Sequence, residues 1–174
     1  MNFEFIILVF PVVFMLHEFE EIIFMRPWIK RSESKIISKF PKAVPVIVKK
    51  QMSVTTEAFS FIVAEEFLIV TIITLYAFFV QNNTLFASLL AVYTLHLLMH
   101  IGQAILLRSY IPALATSLLT AVYSIYTLNL YLTSAFFELN RTITYTLIIL
   151  SAAAINLLLM HKLAAKIKCL QSIK

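Results

Sequence analysis

The chain has 174 residues, of which 61% are hydrophobic and 13% are charged. A soluble domain is closer to about 45–50% apolar and 25% charged, and no soluble fold of this length can bury so much apolar surface. The net charge of +5 has a membrane explanation, so it predicts no nucleic-acid partner. The composition therefore predicts an integral membrane protein whose nearest partners are membrane lipids.

Residue types that break helices are scarce in the chain. One glycine and five prolines favour long helices over a loop-rich or β-barrel design. Five apolar segments are long enough to cross a bilayer, which takes roughly 20 residues. The predicted fold is an all-α integral membrane bundle of about five transmembrane helices, with residues 1–174 forming a single domain. In chain order the predicted spans are 3–25, 55–80, 85–107, 112–134 and 142–162.

Residues 26–50 form the one long segment that is not predicted to cross. They carry eight basic residues and one acid, Glu33. Two interpretations remain open for this basic loop: an amphipathic helix among the lipid headgroups, or a solvated cytoplasmic loop. Pro27 and Pro41 limit any helix there to the residues between them.

The distribution of basic residues predicts the orientation, because Lys and Arg concentrate in cytoplasmic segments. If the loop 26–50 is cytoplasmic, 13 of the 14 basic residues lie on that side and only Arg141 lies outside. The predicted topology therefore has the N-terminus outside and the C-terminus in the cytoplasm.

Seven ionisable side chains lie inside the first three predicted spans. A charged group at bilayer depth costs at least about 2.5 kcal/mol on insertion scales, so such residues normally face a protein interior and mark a site. At ~1.5 Å rise per residue, all seven reach the cytoplasmic half of the bilayer, roughly 6–17 Å from its inner boundary. They are His17, Glu20, Glu21, Glu65, Glu66, His96 and His100.

Helical spacing predicts which of these side chains share a face. His17, Glu20 and Glu21 are spaced i, i+3 and i+4 and are expected on one face, whereas Glu18, about 100° from His17, is expected to point elsewhere. In the third span, His96 and His100 are likewise spaced i, i+4. Glu65 and Glu66 diverge by about 100°, so only one of them is expected to be a direct ligand.

Imidazoles and carboxylates together are the ligands of divalent metal sites. A mononuclear zinc site needs three protein ligands and a water, and the seven residues exceed that number. They approach the two-metal sites of helical bundles, which use four Glu and two His. We expect one or two divalent metal ions, with zinc or iron favoured and manganese also compatible.

The string His17-Glu18-Phe19-Glu20-Glu21 resembles the signature of the HXXEE-motif membrane proteins, a small multi-span family of bacteria and archaea. The similarity is supported by chain size and by the Glu and His residues of the later spans. It implies that His17, Glu20 and Glu21 are the characteristic residues and that the protein lies in the plasma (cytoplasmic) membrane of a prokaryote. The function of that family is not established, so the resemblance implies no reaction.

The leading functional hypothesis is a membrane-embedded metalloenzyme. A metal ion lowers the pKa of a bound water, and a spare carboxylate, with Glu21 and Glu66 favoured as catalytic residues, takes the proton. A site at this depth predicts hydrolysis of a lipid or another lipophilic small molecule. Di-iron oxygen chemistry is a variant of this hypothesis. The alternative is a small proton- or cation-coupled transporter that uses the same residues. The chain is short for a transporter, so this alternative is favoured only if the protein forms a homo-oligomer.

Overall fold

The computed structural model describes residues 3–39 and 55–171 of the chain. These residues form five α-helices and contain no β-strand, which confirms the predicted all-α class. The helices are α1 (Phe3–Lys39), α2 (Thr56–Phe79), α3 (Asn83–Leu107), α4 (Leu114–Leu132) and α5 (Leu139–Gln171).

Three of the helices are long and apolar enough to cross a membrane: α2, α3 and the Leu139–Met160 part of α5. Large apolar side chains on the outside of the bundle are exposed, among them Phe79 at 76% and Ile105 at 72%. An apolar surface of this kind is stable against lipid and not against water. The count of five spans and the orientation stay predictions, because α1 carries buried glutamates and α4 has a polar face.

Helix α1 is longer than the predicted first span. It runs for 37 residues without interruption and contains Pro27, which was expected to bound a separate helix. A proline removes one backbone hydrogen bond, and packing on both sides compensates for this loss. Beyond Pro27, buried Ile29 and Ile36 pack beside Leu107 at the end of α3. Residues 26–39 are therefore an anchored continuation of α1, and residues 40–50 of the predicted loop lie outside the described residues.

Helix α1 lies between α2 and α4, while α3 packs against α2, α4 and α5, and α5 also packs against α2. Aromatic rings fill the space between α1 and α3. The Phe10 ring meets the rings of Phe86 and Tyr93 edge-on, with centroids 5.8 and 5.3 Å apart. This core fixes the two helices about two turns before His17 and one turn before His96, so it sets how their polar residues face each other.

Helix α4 presents a buried polar face to its neighbours. Small residues on this face let the helices approach closely. Tyrosine hydroxyls then form hydrogen bonds between α4 and its neighbours. Tyr93 of α3 donates to Thr120 at 3.1 Å, and Tyr123 of α4 donates to the Ile6 carbonyl of α1 at 2.8 Å. The buried small residues of this face are Ser117, Thr120, Ser124 and Thr127.

The beginning of α4 differs from those of α2 and α3. Thr55 and Asn82 cap α2 and α3 by accepting backbone N–H bonds at 3.2 and 3.0 Å. Ala113 precedes α4 in a left-handed conformation, with φ 70°, and its methyl side chain accepts no such bond. The backbone N–H groups of the first turn of α4 therefore need an acceptor from elsewhere in the protein.

Candidate metal centre

Four of the predicted site residues come together between α1 and α3. Each offers one ligand atom, and these four atoms all lie within 4.8 Å of one another, so the four side chains can hold a metal ion. Three of the residues are buried and His96 is partly exposed. They form the His/Glu group, which consists of His17, Glu21, His96 and His100.

The tightest contacts in the His/Glu group involve the Nε2 atom of His100. It lies 2.8 Å from Oε1 of Glu21 and 3.1 Å from Nε2 of His96. Ligand atoms around a tetrahedral zinc ion lie about 3.3 Å apart, because each is ~2.0–2.1 Å from the metal. Atoms that carry lone pairs repel each other at this separation unless a proton or a cation lies between them. The spacing therefore fits a bound cation after small shifts of the side chains.

The His17 ring is the most enclosed part of the His/Glu group. Its centroid lies 5.1 Å from the His96 ring and 5.2 Å from the His100 ring, and the residue is fully buried. On one edge, Nδ1 lies 3.3 Å from the hydroxyl of Thr116. On the other edge, the buried Nε2 has no hydrogen-bond partner among the described residues. Nε2 is therefore the free ligand atom of this ring.

The hydroxyl of Thr116 determines which His17 nitrogen carries the proton. That hydroxyl donates its one hydrogen to Oε2 of Glu20 at 2.6 Å. It can therefore only accept at its contact with His17, so Nδ1 must carry the hydrogen. Nε2 is left with a lone pair, which is the form that binds a metal. The Glu20–Thr116 pair thus leaves His17 in a form that can bind a metal.

Glu20 lies outside the His/Glu group, although the sequence placed it on the same face as His17. Its carboxylate accepts the backbone N–H of Thr116 at 2.8 Å, in the first turn of α4, and also accepts the hydroxyl of Tyr110. Burial and the bond to Glu20 raise the pKa of Tyr110 to about 12, so the phenol keeps its proton and donates. Glu20 therefore caps the start of α4, because the preceding residue, Ala113, has no side-chain acceptor.

The two glutamates of α2 separate as expected for adjacent residues. Glu65 turns to α5 and accepts a hydrogen bond from Asn156 at 2.9 Å, so it is not part of the His/Glu group. Glu66 is half-buried and lies near the carboxyl groups of Glu18 and Glu21. It lies beside the group without being one of its four members.

Glu18 was expected to point away from the site, and this expectation is wrong. The residue is buried, and its Oε1 lies 3.8 Å from Nε2 of His96. With about 100° per residue, Glu18 is only about 60° from Glu21, whereas Glu20 is about 100° from Glu21 on the other side. The face of α1 toward α3 is centred near Glu21, so it includes Glu18 and leaves Glu20 directed at α4.

Sequence reasoning also missed Thr116 and Tyr110. Thr116 is 96 residues from Glu20 along the chain, and hydroxyl residues are common in α4, so nothing in the sequence connects the two. The one available signal is the alanine before a helix that starts after Pro112, because such a helix lacks a side-chain cap of its own.

The His/Glu group is open at one side. The His96 side chain is 39% exposed, compared with 7% for His100 and 9% for Glu21. Its neighbours Leu95 and Met99 on α3 are exposed apolar residues. A molecule that reaches His96 therefore approaches along an apolar surface.

Comparison with known proteins gives one family match. The family model described as "Protein of unknown function with HXXEE motif" matches residues 8–127. No curated protein and no solved structure matches the chain. The matched region runs from the first turns of α1 into α4, so it contains every member of the His/Glu group together with Glu20 and Thr116. The chain belongs to the family of proteins with the HXXEE motif.

Proposed function

We propose that the protein is a membrane-embedded metalloenzyme in which the His/Glu group binds one divalent metal ion and a lipid or other lipophilic substrate is hydrolysed. The observation that carries this proposal is the convergence of four potential ligand atoms within 4.8 Å of one another at a largely buried position. Buried ionisable groups are costly in a membrane unless they are paired, and a divalent cation offsets that cost.

The composition of the His/Glu group favours one zinc ion over a pair of irons. Three imidazoles and one carboxylate suit zinc, whereas carboxylate-rich sites suit iron or manganese. Glu20 and Glu65 accept hydrogen bonds from Thr116 and Asn156. The additional carboxylate ligands of a bridged two-metal site would therefore have to be Glu18 and Glu66. Di-iron oxygen chemistry is therefore the less favoured variant.

A divalent ion in this group supplies a Lewis acid that activates water at neutral pH. The protein supplies the remaining parts of a hydrolytic site. Glu21, one of the two carboxylates predicted to accept the proton of the attacking water, is itself a member of the group. The neighbouring carboxylates suited to that role are Glu18 and Glu66. Burial of His17 and His100 excludes bulk water, and the exposed edge of His96 leaves an approach from the lipid side.

Elemental analysis of the purified protein tests the proposal. We expect one zinc or similar divalent ion per chain, and we expect both His17→Ala and His100→Ala to lose it. Glu65→Gln is the matched control, because its carboxylate is bonded to Asn156 and should be dispensable for the metal. A metal-free wild-type protein, or equal loss in all three variants, would contradict the proposal.

A proton- or cation-coupled transporter remains the second candidate, and one observation favours it. Hydrogen bonds run from the exposed Tyr110 through Glu20 and Thr116 to His17, which is the arrangement of a proton path. Metal-free protein in liposomes distinguishes the two candidates. Proton or cation flux that His17→Ala abolishes would support the transporter, whereas the enzyme predicts no flux.

A further inference from the structure

A basic groove lies on the side of α1 just beyond the His/Glu group. Its volume is about 640 Å³, and none of its described lining residues is acidic. Arg26, Lys30 and Arg31 contribute three positive charges, and all three residues are exposed. The complete described lining is Ile23, Arg26, Pro27, Lys30, Arg31 and Thr56.

A narrow crevice adjoins the basic groove and shares Arg26 and Thr56 with its lining. Its lining also includes Glu21, a member of the His/Glu group. With a volume of about 20 Å³, it admits roughly one water molecule. Along α1, Arg26 lies about 7.5 Å beyond Glu21. A bulky anionic group can therefore occupy the groove close to Glu21, while the crevice itself admits only water-sized groups.

We propose that the basic groove binds the phosphate-bearing head group of an anionic lipid, and that such a lipid is the substrate class of the neighbouring site. Arg26 and Arg31 present planar guanidinium groups that can bind phosphate oxygens in pairs, and Lys30 adds a point charge. The assignment of substrate rests on the proposed function, whereas the binding of the head group stands on the groove alone.

The surroundings of the groove favour a lipid over a soluble phosphate. Ile23 belongs to its lining and is 57% exposed, and the adjacent Phe24 is 51% exposed. These apolar residues lie three and two positions before Arg26 on the helix, so apolar and cationic surfaces meet there as acyl chains and head groups meet in a leaflet. A free phosphate ion would gain nothing from the apolar wall.

Fluorescence of Trp28, the single tryptophan of the chain, provides the test. The full-length protein is placed in vesicles that mix phosphatidylglycerol with phosphatidylcholine, with brominated acyl chains on one lipid at a time. Quenching then gives the relative affinity of the two lipids near α1. We expect about a fivefold preference for phosphatidylglycerol in the wild type. In the double variant Arg26→Gln/Lys30→Gln this preference should fall close to one.

The matched control is Lys35→Gln, an exposed basic residue of α1 outside the groove lining. It should keep the wild-type preference, because the proposal concerns the groove and not the total charge of α1. The proposal is overturned if the double variant keeps the preference, or if Lys35→Gln loses it equally. It is also overturned if millimolar inorganic phosphate removes the preference, since the ligand is then a soluble anion.

Metal content measured on the same samples separates this proposal from the proposed function. The double variant should retain its metal ion, and His17→Ala should retain the lipid preference. A wild-type protein that shows the preference but binds no metal would leave the groove intact and defeat the metalloenzyme. A metal-bound wild-type protein without the preference would defeat only the groove.

Discussion

His17 uses its two ring nitrogens for different contacts. Nδ1 donates to Thr116, whose own hydrogen goes to Glu20, and the buried Nε2 has no partner among the described residues. Loss of a group that orients a metal ligand in this way commonly lowers metal affinity by about 10–100-fold. Within the HXXEE motif, His17 and Glu21 are thus members of the His/Glu group. Glu20 is not a member, and its link to His17 is the hydroxyl of Thr116.

The first prediction concerns Thr116. Replacing it with Val removes the acceptor for His17 Nδ1–H but leaves the backbone N–H that Glu20 accepts. We expect zinc affinity to fall about 10–100-fold in Thr116→Val. Thr116→Ser should keep the wild-type affinity, because it retains the hydroxyl. Titration against a competing chelator measures both, and equal affinities of the Val and Ser variants would refute the positioning role.

The second prediction concerns Glu18. Because its carboxylate lies beside His96 and is not a member of the His/Glu group, Glu18→Gln should keep its metal ion. If Glu18 accepts the proton of water, the hydrolytic rate constant kcat should fall about 10²–10⁴-fold. Elemental analysis and lipid-hydrolysis assays on the same preparation check the two parts. Loss of the metal in this variant would show instead that Glu18 is a ligand.

For single residues, the sequence predicts which ionisable side chains belong to a site better than it predicts the contacts that each of them makes. The cost of charge in a membrane identified the seven residues, and four of them meet in the His/Glu group. The position of Glu20 depends on which helix lies beside each face of α1, and that is a property of the bundle. The same cause explains why Glu18 was expected to face away.

Helix α4 is held by side chains of its neighbours at both ends. At its start, Glu20 accepts the N–H of Thr116, and near its end Tyr131 bonds to hydroxyls of two other helices. The Tyr131 hydroxyl lies 3.1 Å from Thr84 of α3 and 2.8 Å from Thr142 of α5. Such bonds between membrane helices locate one helix against another where apolar packing alone permits sliding.

The third prediction concerns the two hydrogen bonds of the Tyr131 hydroxyl. Tyr131→Phe keeps the buried ring and removes the hydroxyl, so we expect the free energy of unfolding in detergent or bicelles to fall by about 1 kcal/mol. Tyr126→Phe is the control, since Tyr126 is 49% exposed on the same helix. A reversible unfolding titration measures both. Equal stabilities of the two variants would mean that the Tyr131 bonds contribute nothing.

Over the whole molecule, hydropathy predicted the all-α class and approximate helix positions. It could not predict that α1 continues to Lys39, because Pro27 and the basic residues are typical of an interruption. The continuation depends on contacts with the end of α3: Lys39 donates to the Leu106 carbonyl at 2.7 Å, and Trp28 donates to the Tyr110 carbonyl at 3.0 Å. Contacts this distant along the chain leave no local pattern.

The fourth prediction concerns the five-span topology. In a Cys169→Ser background, new cysteines at Gln81 and Asn140 should react with a membrane-impermeant maleimide added to intact cells. A cysteine at Ser109 should react only after the membrane is permeabilised. These outcomes follow from the excess of Lys and Arg on the cytoplasmic side. Labelling of Ser109→Cys in intact cells would reverse the orientation or change the number of spans.

Helix α1 is continuous from the His/Glu group to the basic residues beyond it. At ~1.5 Å per residue its 37 residues span about 55 Å, well beyond the roughly 30 Å of bilayer hydrocarbon. A single helix therefore carries both the ring of His17 and the basic residues Arg26, Lys30 and Arg31 of the groove. Because no break separates the two parts of α1, any tilt of the helix would move the His17 imidazole and the basic groove together.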